Sequence, residues 1–64
     1  KLIVSDGQTV VIDFKTGEKS DKHEKQVQGY MTVLSQIGMT NIKGYLYYSG
    51  GSGLVEILPT SLLF

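Results

Sequence analysis

The stretch Thr9-Val10-Val11-Ile12-Asp13-Phe14-Lys15-Thr16-Gly17 decides the fold expected for this chain. Its first seven residues are rich in β-branched and aromatic types, which favour an extended strand. A similar run, Lys1-Leu2-Ile3-Val4, precedes it, and Ser5-Asp6-Gly7-Gln8 lies between the two. Asp-Gly between such runs is a strong hairpin signal, because a type I′ turn needs positive φ at both central residues. The sequence therefore predicts an antiparallel hairpin with strands at about 2–5 and 9–15.

A helix is predicted next, over about residues 21–37. Asp21 is expected to be its N-cap, with Glu24 as the capping-box partner, and Gly38 is expected to end it. Gly29 within the helix would permit close packing against a sheet. Apolar side chains recur at three- and four-residue spacing, which predicts one buried helical face formed by Val27, Tyr30, Met31, Leu34 and Ile37.

Two further strands are predicted at about 42–48 and 54–58, the second ended by Pro59, which has no amide hydrogen for the ladder. The glycine-serine stretch between them lacks the lysine and the following helix of a phosphate-binding loop, so we interpret it as a hairpin turn. The order strand, strand, helix, strand, strand indicates an α/β (α+β) fold. One main helix is expected to pack on a mixed sheet of about four strands, with residues 1–64 as a single domain.

Composition excludes several classes of protein. The chain has 64 residues with no cysteine, so neither disulfides nor a thiolate zinc site can brace it. No apolar run approaches the length of a membrane span and no segment resembles a signal peptide; we expect no membrane partner and a cytoplasmic location. A net charge of zero argues against binding nucleic acid by bulk electrostatics alone.

Because the chain opens on Lys1 and closes on the apolar Ser61-Leu62-Leu63-Phe64, we expect it to be part of a larger protein.

The second predicted strand has two different faces. Side chains alternate along a strand, so Asp13 and Lys15 share one face with Val11. A carboxylate beside an ammonium at a strand end is, by itself, an ion pair worth at most about 1 kcal/mol if exposed. The opposite face is wholly apolar and is predicted to be core: Val10, Ile12 and Phe14.

Two motifs resemble one known family. The string from Val10 to Gly17, preceded by a strand and an Asp-Gly turn, resembles the core of the PD-(D/E)xK nuclease superfamily, and more narrowly the RecB-like or AddB-like nuclease domain. In that family a strand ends in Asp-[Tyr/Phe]-Lys-[Thr/Ser]-[Gly/Asn], and a helix then carries Gln-x-x-x-Tyr, which Gln26-Val27-Gln28-Gly29-Tyr30 supplies. The run from Gly44 to Tyr48 resembles the family's next strand. The resemblance covers about residues 2–58.

The resemblance implies a restriction-endonuclease-like core and a metal-dependent DNA exonuclease, associated with a helicase domain or subunit in an exonuclease V-like machine of DNA repair and recombination. It implies Mg²⁺ or Mn²⁺ held by Asp13 and the backbone carbonyl of Phe14. Lys15 would orient or help activate the attacking water and stabilise the charged transition state. Gln26 and Tyr30 would contact a carboxylate ligand or the DNA.

The chain departs from the family in one respect. A complete domain has an earlier acidic metal ligand, typically in a Gly-x-x-Asp element, whereas no carboxylate here precedes Asp6 of the predicted turn. We expect that ligand to lie upstream of Lys1. The resemblance therefore implies that the parent protein is a nuclease and that this piece alone has little activity and weak metal affinity.

Alternative interpretations stay open. The chain could be a nuclease-like fold without catalysis that binds DNA or docks a subunit, or an unrelated small α/β interaction domain. If Asp13 and Lys15 do not project together toward Gln26 and Tyr30, the nuclease interpretation fails. On periodicity alone, Tyr30 is equally an ordinary core aromatic.

Other polar and aromatic residues receive simpler interpretations. His23, the only histidine, is interpreted as a surface residue. Three lysines near the helix start could touch a DNA backbone, but we favour their interpretation as solvated charges: Lys19, Lys22 and Lys25. Tyrosines in the third strand would serve either base stacking or strand packing: Tyr45, Tyr47 and Tyr48.

Overall fold

The computed structural model describes residues 1–60, so the apolar segment 61–64 lies outside the described residues. The predicted α+β fold, a four-stranded mixed sheet with one main helix, is confirmed. The element bounds agree with the predicted ones to within one residue. In chain order the elements are β1 (Leu2–Ser5), β2 (Gln8–Lys15), α1 (Asp21–Gln36), β3 (Ile42–Tyr48) and β4 (Gly53–Ile57).

The strands lie in the order β1-β2-β3-β4. β2 and β3 are parallel and are joined by α1, whereas the two outer pairs are antiparallel hairpins. In the first hairpin Asp6 has φ 40° and Gly7 has φ 79°, as the predicted type I′ turn requires. The glycine-serine stretch is the turn of the second hairpin, as predicted.

The helix begins differently from the prediction. Ser20, not Asp21, is the N-cap: its backbone is extended and its hydroxyl accepts a hydrogen bond from the amide of Lys22 at 3.2 Å. Asp21 is the first helical residue, where its charge interacts favourably with the helix dipole. The C-terminal prediction is confirmed, because Gly38 has φ 98° and its amide donates to the carbonyl of Ser35.

The core lies on the opposite face of β2 from the predicted one. The helix covers the face that carries Val11, and the buried apolar side chains of this layer are Val11, Val27, Met31, Leu46, Tyr48 and Ile57. Phe14, predicted to be core, is 60% exposed, and Val10 and Ile12 are only partly buried. An apolar face predicts burial, but with one helix in the described residues only one face of the sheet is covered. The polar Asp13 and Lys15 therefore lie on the helix side.

The helical stripe is also narrower than predicted. Of its five apolar residues only Val27 and Met31 are buried, because the helix contacts the sheet mainly over β3. Tyr30 and Ile37 lie outside that contact and are exposed.

A different glycine from the predicted one permits the close packing. A Cβ on Gly29 would meet nothing within 4 Å, so Gly29 makes no close approach to the sheet. A Cβ on Gly44 of β3 would lie 2.9 Å from Cγ1 of Val27 and would overlap Sδ of Met31. Gly44 is therefore a point of close approach between α1 and the sheet.

Within residues 1–60, α1 is too short and too polar to cross a membrane.

We predict opposite effects of two glycine substitutions on the free energy of unfolding. Gly44→Ala places a methyl group against Val27 and Met31, and should lower stability by about 1–3 kcal/mol because the helix must move. Gly29→Ala is the matched control: it adds the same methyl group at an exposed helical site and should raise stability by about 0.5–1 kcal/mol. Urea denaturation followed by circular dichroism measures both. Equal effects of the two substitutions would contradict the packing described here.

Candidate active site

Three side chains from two elements meet at the end of β2. Nζ of Lys15 lies 3.2 Å from Oδ2 of Asp13 and donates a hydrogen bond to Oε1 of Gln26 at 3.1 Å. The Asp13 and Lys15 side chains are each 25% exposed, so the cluster is neither core nor fully solvated. Asp13 and Lys15 thus project together toward Gln26, which is one part of the geometric condition set for the nuclease interpretation; the hydrogen bonds and ion pair of this cluster do not include Tyr30.

The backbone at this position is held by β3. Lys15 is in register with Tyr48 in the parallel ladder, and the amide of Ser49 donates to the Lys15 carbonyl at 3.0 Å. Gln26 comes from the second turn of α1, whose N-terminal end lies over the carboxyl ends of β2 and β3. Ligands of open α/β sheets characteristically bind at the carboxyl ends of the strands. The cluster therefore occupies the part of the fold where such sites form.

Tyr30 lies beside the cluster rather than in the core. It is exposed and lines, together with Asp13, a cleft of about 410 Å³ between α1 and the β1-β2 hairpin. The rest of the cleft is largely apolar, with Leu2, Val11 and Val33 among its lining residues. Tyr30 is therefore available to a bound molecule that enters the cleft near Asp13.

The residues that the family resemblance implies as metal ligands supply part of a coordination shell. Asp13 provides one carboxylate, next to the carbonyl of Phe14, and residues 1–60 contain no group of three or more histidine, cysteine or acidic residues that could hold a metal. Magnesium is commonly held by one or two carboxylates and keeps several waters. The donor set fits such an ion in part, and the Lys15 ammonium competes with it for Asp13.

His23 is not the surface residue predicted from its charged neighbours. It is partly buried, and its Nδ1 lies 3.0 Å from Oη of Tyr48. The signal that sequence reasoning missed is spacing: His23 stands four residues before Val27 and eight before Met31, so it extends the buried helical stripe by one turn.

The tyrosines of β3 divide between the two faces of the sheet. Tyr48 is 2% exposed under the helix, so it has no free ring face for base stacking. Tyr47 is exposed on the other face, with its ring centroid 5.9 Å from that of Phe14. The three lysines around the helix start are exposed, as predicted: Lys19, Lys22 and Lys25.

No protein-family model matches the chain, and no curated protein or solved structure is significantly similar to it. The resemblance to the RecB-like nucleases therefore rests on the two motifs that carry it, Asp13 to Lys15 and Gln26 to Tyr30. The roles of these residues stay predictions.

Proposed function

We propose that this chain is part of a metal-dependent DNA exonuclease domain, of the kind tethered to a helicase in DNA repair and recombination, with the cytoplasm as its compartment. The observation that carries the proposal is the contact between motifs distant in sequence. Lys15 joins Asp13 of one motif to Gln26 of the other through its single ammonium group. Neither motif alone has this specificity, since Asp-x-Lys and Gln-x-x-x-Tyr both occur by chance.

The residue types suit phosphodiester hydrolysis. Asp13 and the Phe14 carbonyl would hold Mg²⁺ or Mn²⁺, and the bound ion would lower the pKa of water and neutralise charge developing on the phosphate. Lys15, two residues along the strand, presents its ammonium to the same space, where it would orient the water and stabilise the pentavalent transition state.

Gln26 and Tyr30 would assist from the helix. The Gln26 carbonyl oxygen accepts a hydrogen bond from Lys15, which holds the long lysine side chain in one position. The amide nitrogen of Gln26 is left to donate to a phosphate oxygen. The Tyr30 hydroxyl, at the cleft beside Asp13, would donate to the same DNA strand.

With one carboxylate and no substrate phosphate to complete the shell, a divalent ion is held weakly. We propose that other ligands come from residues beyond this chain, so that the chain alone binds metal weakly and cleaves DNA slowly. The proposed DNA groove would likewise draw its positive charge from the metal ions and from the rest of the protein, because this chain has no net charge.

We expect Lys15→Met to abolish cleavage without unfolding the chain. In the protein extended upstream of Lys1, Mg²⁺-dependent release of nucleotides from linear DNA should fall at least a hundredfold, because the transition state loses an ammonium group. Stability should change by less than about 1 kcal/mol, since the ion pair is partly exposed.

Lys43→Met is the matched control for this loss of a lysine. Lys43 pairs with Glu56 at 3.7 Å on the uncovered face of the sheet, so its substitution should leave cleavage unchanged. Full activity of the Lys15→Met protein, or equal losses in both variants, would refute the proposed role.

Whereas Lys15→Met should lower cleavage, it should raise the Mg²⁺ affinity of the chain alone. Lys15→Met removes a positive charge that competes for Asp13, so Mg²⁺ affinity should rise about three- to tenfold. Asp13→Asn should remove the binding. Amide chemical shifts of Asp13 and Phe14, followed by NMR during titration with MgCl₂, measure both. Binding unaffected by Asp13→Asn would place the metal elsewhere.

The uncovered face of the sheet favours a second candidate function, a docking module without catalysis. Phe14 and Leu54 are each 60% exposed there, with the exposed Tyr47 between them in the ladder, and Ile3 is exposed toward the other end of the same face. Contiguous exposed apolar surface of this kind marks interaction sites. The only ion pair found there in the described residues is Lys43 with Glu56, so the face suits an apolar protein surface better than a polyanion.

We therefore expect the chain to self-associate through this face. Sedimentation velocity at rising concentration should show dimers or larger species, and the double substitution Phe14→Ser with Leu54→Ser should weaken association at least tenfold. Substituting the exposed Ile37 of α1 by serine is the control, and it should leave association unchanged. If the extended protein folds and associates in this way but cleaves no DNA with any divalent ion, the docking function replaces the nuclease.

A further inference from the structure

We infer that His23 is a positioning residue: through Tyr48 it holds the first turn of α1 at the end of β3, and so keeps Gln26 within reach of Lys15. The inference rests on the proposed function for its catalytic meaning, but the positional link is a property of the fold. The family motifs quoted above do not include His23 or its contact with Tyr48.

The contact itself is well defined. Nδ1 of His23 lies 3.0 Å from Oη of Tyr48, and the two rings are tilted by 38° with their centroids 5.7 Å apart. Tyr48 is buried, and a buried hydroxyl without a partner is costly. Among residues 1–60 every buried side-chain polar atom has a partner, and His23 supplies the one for Tyr48.

Within residues 1–60, the first turn of the helix makes no other side-chain hydrogen bond to the sheet. Of the helical residues that precede Val27, only His23 is not exposed; the core contacts begin at Val27 itself. Gln26 is exposed, so no packing fixes its side chain, and its position follows that of the helix. His23 is thus the contact that keeps this end of α1 from moving away from β3.

Tyr48, the partner of His23, is also connected to Lys15. Tyr48 is the register partner of Lys15, and the next residue, Ser49, donates its amide to the Lys15 carbonyl. The helix turn that carries Gln26 and the strand that carries Lys15 are therefore fixed to the same residue of β3. Without the His23 contact, the helix end that precedes Val27 would be held only by the packing of Val27 and by the hydrogen bond from Lys15 to Gln26.

NMR of the chain tests the positional link. Nuclear Overhauser contacts between the Gln26 side-chain amide and the Lys15 side-chain methylenes should lose at least half their intensity in His23→Ala and in Tyr48→Phe. Tyr48→Phe keeps the ring and removes only the hydroxyl, so its fold should survive. His23→Asn, whose side-chain amide places a donor or an acceptor near the position of Nδ1, should retain the contacts. Glu24→Ala, an exposed change in the same turn, should also retain them.

Unchanged contacts between Gln26 and Lys15 in folded Tyr48→Phe protein would overturn the inference. So would equal losses in His23→Ala and the Glu24→Ala control, since a general weakening of the helix would then explain them.

Cleavage by the extended protein separates this inference from the proposed function. Wild-type protein that cleaves no DNA overturns the nuclease proposal, while the NMR contacts still decide the positional link. If the wild type is active, Tyr48→Phe and His23→Ala should lower kcat about tenfold with KM within twofold, and His23→Asn should restore it. Full kcat in variants that have lost the contacts would overturn the catalytic part of the inference.

Discussion

The close approach of α1 to Gly44 is the constraint on which the rest of the structure depends. With hydrogen as its side chain, Gly44 leaves room for Val27 and Met31 to contact the backbone of β3 directly. That contact places the helix over β3 and fixes its rotation about its own axis. Since side chains on a helix keep a fixed angular relation, it also determines where His23 and Gln26 point. The polar cluster is therefore a consequence of how the apolar core packs.

The layer between α1 and the sheet is apolar at the start of β2 and becomes polar toward the carboxyl end of that strand. Along β2, Thr9 and Val11 are buried while Asp13 and Lys15 are partly exposed. The helix runs antiparallel to β2 and β3, so its polar first turns meet the polar strand ends. The polar end of β2 and the polar end of α1 therefore lie together at one edge of the layer. Water still reaches the charged groups there, so the cost of desolvating them is small.

Local patterns predicted the elements, but not which face of the sheet is core. The Asp6-Gly7 turn and the stop at Gly38 depend on φ angles that neighbouring residues determine, and both are confirmed. The choice of face depends on where one helix packs, which alternation along β2 does not reveal: Val10, Ile12 and Phe14 form the more apolar face and stay uncovered. Ser20 competed with Asp21 for the N-cap, and both are good caps, so composition could not separate them.

The sequence predicted those residues of the candidate site that belong to the two family motifs, but not the contacts between them. Asp13 and Lys15 share a face by strand geometry, but the contact between Lys15 and Gln26 depends on the crossover from β2 to α1, which no local rule supplies. His23 was missed because its charged neighbours suggested solvent, although its four-residue spacing from Val27 placed it on the buried stripe. A polar residue that extends the buried stripe of a helix toward the polar ends of the strands is therefore a candidate for part of a site. In this chain such a residue, His23, contacts Tyr48 of the core one turn before Gln26, so the stability of the first helical turn and the position of Gln26 depend on the same contact.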